Sequence, residues 1–97
     1  MSNNTANPYP DVVLPPNAIE AGEWHNDGGM ARRTIVGPKR KVARVDVFTI
    51  GCQYVDGRIR ETTVRVESSP NDALSSAQAR QLAAEILDSA DEIDGWT

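Results

Sequence analysis

Residues 42–55, Val-Ala-Arg-Val-Asp-Val-Phe-Thr-Ile-Gly-Cys-Gln-Tyr-Val, run through Asp56-Gly57 into residues 58–67, Arg-Ile-Arg-Glu-Thr-Thr-Val-Arg-Val-Glu. Both flanks are rich in β-branched and aromatic residues, and Asp-Gly between two such runs is a strong hairpin signal. The side chains then choose the register. A two-residue loop at Asp56-Gly57 pairs Phe48 with Arg65 and Ile50 with Thr63, and mixes apolar with charged groups on each face. A three-residue loop, Val55-Asp56-Gly57 with Gly57 left-handed in a G1 bulge, pairs Phe48 with Val64 and Asp46 with Val66. It collects Phe48, Ile50, Cys52, Tyr54, Val64 and Val66 on one face, and Thr49, Gln53, Glu61, Thr63, Arg65 and Glu67 on the other. A half-buried sheet needs one clean apolar face, so the three-residue loop is expected, with the first face as the core.

Toward the C-terminus, Pro70-Asn71-Asp72 reads as a loop and a helix follows. Ser75 as N-cap with Gln78 three residues on is a capping box, and Leu74 is placed to staple onto Ala79. Ala79, Leu82, Ala83, Ile86, Leu87, Ala90 and Ile93 fall at the spacings of an amphipathic helix, and Gly95 is its expected C′ stop. This stripe is the natural cover for the apolar sheet face. On that reading Leu87→Ala or Ile86→Ala costs about 2–5 kcal/mol. Trp96, directly after Gly95, either folds back to seal the core, the favoured reading, or projects as a contact anchor.

Toward the N-terminus, Arg32-Arg33-Thr34-Ile35-Val36 is short and β-prone, a candidate third strand ended by Gly37-Pro38. A third strand suits stability better than an isolated hairpin. Pro8, Pro10, Pro15 and Pro16 break regular structure before it. Asp11 to Leu14 suits an extended path along a sheet edge, Asn17 suits the N-cap of a helical turn over residues 18–24, and Asp27-Gly28-Gly29 reads as a turn. The expected class is α+β: an antiparallel β-hairpin or three-stranded sheet packed on one C-terminal amphipathic helix. Residues 1–31 form an irregular, partly mobile N-terminal arm and residues 32–97 a small α+β domain.

The 97 residues carry a net charge of −4. That balance argues against a dedicated nucleic-acid binder on bulk charge. A single Cys rules out an internal disulfide and fits a reducing, cytoplasmic setting, and neither a signal peptide nor a membrane span is read. The charge is segregated. Six of the ten basic residues are Arg32, Arg33, Lys39, Arg40, Lys41 and Arg44, while five of the fourteen acids, Glu85, Asp88, Asp91, Glu92 and Asp94, crowd the end of the chain.

No motif specifies a reaction, and no cofactor is expected. His25, between Glu23 and Asp27, is the only histidine. As a general base or metal ligand it lacks the convergent partners either role needs, so a small metal-binding protein or enzyme using His25 ranks last. Cys52 reads as a small buried hydrophobe rather than a nucleophile. Glu85, Asp88, Asp91 and Glu92 line the expected outer side of the helix, where acids near the C-terminus oppose its dipole. That cost suggests a basic partner, or a second copy of the chain. The basic segment Arg32, Arg33, Lys39, Arg40, Lys41 and Arg44 suits phosphates but carries no aromatic residue for base stacking.

Gly51-Cys52-Gln53-Tyr54 with Asp56-Gly57-Arg58, then Leu74 to Ala84 and Ala90 to Trp96, resemble small proteins of mycobacteria and their bacteriophages that have no established activity. The resemblance covers residues 42–97. It implies an actinobacterial cytoplasm and a phage- or prophage-encoded accessory protein, and carries over no functional residue. The leading expectation is a non-enzymatic protein-protein interaction protein. It would act through an acidic helix face (Glu85, Asp88, Asp91, Glu92, with Trp96) or a sheet edge, with a homodimer as one form. The alternative is a weak nucleic-acid binder through residues 32–44.

Overall fold

Val42 and Val45 pair across a two-residue turn at Ala43-Arg44, with Ala43 at φ 54°. In one unbroken strand these valines would point to opposite faces. The turn puts both on the same face, and both are buried. The strand expected over residues 42–55 is therefore two strands. The computed structural model describes residues 7–26 and 28–97. Residues 1–6 of the expected arm and Asp27 of the expected turn lie outside them. The elements are β1 (Glu20–Ala21), β2 (Arg32–Val36), β3 (Arg40–Val42), β4 (Val45–Tyr54), β5 (Ile59–Glu67) and α1 (Ser76–Asp94). They form the expected α+β fold, with five antiparallel strands in place of two or three.

β4 is the hub. Its first residues pair β3, its last pair β2, and its opposite edge pairs β5. β2 and β3 thus act as one long strand, broken at Gly37-Pro38-Lys39. Val36 faces Ile50 and Arg40 faces Val47, so this strand holds one residue more than β4 over the same stretch. Pro38, with no N–H to donate, suits the break. β1 adds a two-residue edge beside β2.

The hairpin loop is the expected three-residue one. Tyr54 N–H donates to Arg58 O at 2.8 Å, and Gly57 has φ 89°. The Asp56 carboxyl accepts from the Arg58 N–H at 3.0 Å, which holds it below the usual carboxylate range. Farther along, the register departs from expectation. A bulge lies between the Ile50–Thr63 and Cys52–Arg60 pairs, and Glu61 within it has φ 57°. Beyond it Phe48 faces Arg65 rather than Val64, and Asp46 faces Glu67 rather than Val66. The extra residue reverses the facing of the rest of β5, so Val64 and Val66 join the face of Thr49 and Val47.

That is the face under the helix. The core is built from Ile35, Val42, Val45, Val47, Ile59 and Trp96, with Ile93 and Leu14 against it. The expected core face of β4, with Phe48, Ile50, Cys52 and Tyr54, is the other side. Trp96 does seal the core. It is 6% exposed, and its Nε1 donates to Pro16 O at 2.8 Å.

The capping box forms as expected, with Gln78 N–H donating to Ser75 Oγ and Ser75 N–H to Gln78 Oε1. The helix is rotated from its expected facing. Ser89 and Glu92 are its buried residues, while Leu87 of the expected stripe is 66% exposed. Gly95 is right-handed, at φ −75°, and its N–H continues the helical bonding to Asp91 and Glu92 O. A left-handed stop there would turn the chain early; the extra helical step carries Trp96 back over the sheet. In the arm, no helical turn forms over residues 18–24. Asn17 is left-handed at φ 71°, and the chain then extends into β1.

Candidate functional site

Strand alternation divides the basic segment between the two faces of the sheet. Arg33 and Arg40 point to the helix side and are engaged there. Arg40 reaches α1, with Nη1 donating to Ser89 Oγ at 2.8 Å, Nη2 to Glu92 Oε1 at 3.1 Å, and Nε 3.3 Å from Glu85 Oε2. Thr49 Oγ1 donates to the other Glu92 oxygen at 2.6 Å. Gly37 borders this group, and a Cβ there would collide with Thr49 Oγ1 and Glu92 Oε2. Arg33 binds the arm. Its Nε donates to Gln53 Oε1 at 2.9 Å and its Nη2 to Val12 O at 3.1 Å, and its guanidinium lies 4.6 Å from the Trp24 ring centroid. Gln53 in turn donates to Val13 O, and Tyr9 meets Trp24 edge to face. Residues 12–13 therefore cross the end of the helix-side face by side-chain bonds to their carbonyls, instead of pairing along an edge. Burial lowers the Arg33 pKa, the ordinary effect of desolvation on a cation.

Two of the expected partner-binding acids, Glu85 and Glu92, are thus turned toward the sheet and paired with Arg40. Asp88 and Asp91 face outward and are exposed, and Trp96 is buried. The rotation has a simple cause: a carboxylate pair on the helix meets the one cation that β3 points inward.

Among the described residues, the opposite face of the sheet carries no helix. Down its centre β4 presents Phe48, Ile50, Cys52 and Tyr54, all half-buried by their neighbours alone. The strand partners flank them in rows: Val36, Ile50 and Thr63; Thr34, Cys52 and Arg60; Arg32 beside Tyr54; Arg65 beside Phe48. Lys39 Nζ lies 5.3 Å from the Phe48 ring centroid. Lys41 pairs with Asp46 across the strands at 3.0 Å. Arg32, Lys39, Lys41, Arg60 and Arg65 thus surround an apolar stripe, against Asp46, Glu61 and Glu67. The face is cationic on a chain that is acidic overall. Arg44, in the β3–β4 turn, is exposed.

Within this face an open groove of about 480 Å³ is lined by His25, Arg32, Arg33, Thr34, Ile50, Gly51, Cys52 and Glu61. Cys52 stands on this open side rather than in the core. His25 is exposed and pairs with Arg32 in an isolated β-bridge. Among the described residues no three His, Cys, Asp or Glu side chains converge to hold a metal, and no helix is long and apolar enough to cross a membrane.

Phe48, Tyr54, Arg60 and Arg65 were not legible as one surface, because Arg60 pairs Cys52 before the bulge at Glu61 but Arg65 joins that face only through it. The signal that points to it is the apolar alternation of Val45 and Val47, which competes with that of Phe48 and Ile50 for the core. No family model, curated protein or solved structure matches the chain.

Proposed function

We propose that this chain is a non-enzymatic binding module that takes single-stranded nucleic acid on the open face of its sheet. The observation that carries the reading is the placement of Phe48 and Tyr54 on the uncovered side of the central strand, inside a border of Arg32, Lys39, Arg60 and Arg65. Base stacking on an exposed ring contributes about 1–3 kcal/mol per base and tolerates any sequence. Arg and Lys at the border meet the phosphates, and local potential outweighs net charge for a ligand on one face. This supplies the aromatic residues that the basic segment lacks, and replaces Arg33 and Arg40 by Arg60 and Arg65. The acidic helix face keeps fewer outward groups for a basic protein partner, since Glu85 and Glu92 answer Arg40. Setting and role, a cytoplasmic accessory protein of phage or prophage origin, are proposed on the resemblance of residues 42–97 alone.

The test is fluorescence anisotropy with a labelled oligothymidine of roughly 15 nucleotides, long enough for one small binding face. Binding should weaken with salt, and Phe48→Ala or Tyr54→Ala should each weaken it roughly fivefold to a hundredfold, the loss of one stacked base. No anisotropy change at low salt, or full binding by both variants, would remove the reading.

A further inference from the structure

The expected apolar stripe of α1 is wider than the part the sheet covers. Glu85 and Glu92 face Arg40 on the β3 side of the sheet. Helical geometry then places Ala79, Ala83, Ile86 and Ala90 on the opposite flank, toward β5, and Leu87 beyond them on the outer side, about 160° round the helix from the buried Ser89. Ala79, Ala83 and Leu87 are exposed there. Val66, on the helix side of β5, is 47% exposed. β5 itself pairs only with β4 among the described residues, so its outer edge offers the unpaired backbone groups of a nine-residue strand. An open edge beside an apolar flank is the arrangement that strand addition closes.

We propose that the C-terminal end of this edge is a self-association surface, occupied by the same end of β5 in a second copy of this chain, antiparallel about a twofold axis at Val66, so that residues 65–67 of the two strands overlap. Charge decides both the occupant and the register. A twofold centred on Arg65 sets Arg65 against itself. One centred on Val64 sets Glu61 against Glu67. One centred on Thr63 runs through the bulge, where Glu61 leaves the extended conformation. Centred on Val66, Arg65 of each copy faces Glu67 of the other, two complementary pairs on the open face, while Val66 meets Val66 on the helix side. The same operation brings the two helices together on one side of a continuous sheet. Alanines at 79 and 83 let them approach closely, and Leu87 closes over the outer side of the seam. The two open faces then lie side by side.

Sedimentation equilibrium on the full chain tests this. The expected mass at high concentration is twice the 10.6 kDa of one chain. Arg65→Glu and Glu67→Arg should each raise the dimer Kd roughly tenfold or more by setting like charges across the axis, and the double swap should restore it. Leu87→Glu should do the same with an unchanged circular dichroism spectrum, since Leu87 is exposed in the single chain. A one-chain mass persisting to about 1 mM, the range of a weak specific contact, overturns the proposal. So does a dimer indifferent to Leu87→Glu, or one that the double swap fails to restore.

Discussion

Thr49 Oγ1 and Glu92 Oε2 are 2.6 Å apart, joining the middle of the central strand to the last full turn of the helix. Both residues are buried, and the second Glu92 oxygen is held by Arg40. A carboxylate in such a place is stable only while its donors remain. Removing the hydroxyl by Thr49→Val should cost about 1–2 kcal/mol, and Glu92→Ala, which leaves Arg40 with Glu85 and Ser89, about 1–3 kcal/mol. Urea denaturation reads both, with slopes unchanged from the parent chain.

Gly37 makes the room for that contact. Gly37→Ala should cost about 1–3 kcal/mol, the usual penalty of overpacking, because its new Cβ would take the place of two hydrogen-bonded oxygens. Thr49→Val in the Gly37→Ala background should then lose less than the two single effects summed, since both disturb one site.

Arg33 fastens the arm to the sheet through Gln53, Val12 and Trp24. Arg33→Ala should leave the sheet folded and raise amide exchange in the arm, at the bond from Val12 N–H to Tyr9 O first. Hydrogen-exchange mass spectrometry separates these regions. Unchanged protection of the arm would show that Trp96, through Pro16, holds it unaided.

Leu87 and Ile35 stand in the same apolar vocabulary but differ in cover: one is 66% exposed, the other fully buried. At dilutions where the chain is a monomer, Leu87→Ala should change stability by less than about 0.5 kcal/mol. Ile35→Ala should cost about 2–5 kcal/mol. The thermal midpoint follows both.

The hairpin loop and the capping box were legible because each is fixed by neighbours in sequence, and the strand at residues 32–36 and the sealing role of Trp96 because a β-prone run and a large apolar ring find long-range partners. Asp56-Gly57 dictates its turn, and Ser75 with Gln78 its cap. The facing of the sheet was not, because it hangs on one extra residue at Glu61 and another at Gly37-Pro38-Lys39. A glutamate is not a residue that announces a left-handed bulge. The rotation of the helix was hidden for a related reason. Periodicity counts Glu85 and Glu92 as solvent-facing, and only the long-range partner Arg40 makes them inward. The candidate site inherits both errors: its basic border was half visible in the segment 32–44, while Phe48 and Tyr54 were assigned to the core.

The most direct test of the open face is an amide chemical-shift titration of the isotope-labelled chain with oligothymidine. Shifts concentrated on residues 46–54 and 60–67, with the exposed outer side of α1 unmoved, are the predicted result. Shifts confined to α1, or none at millimolar oligonucleotide, would contradict the account.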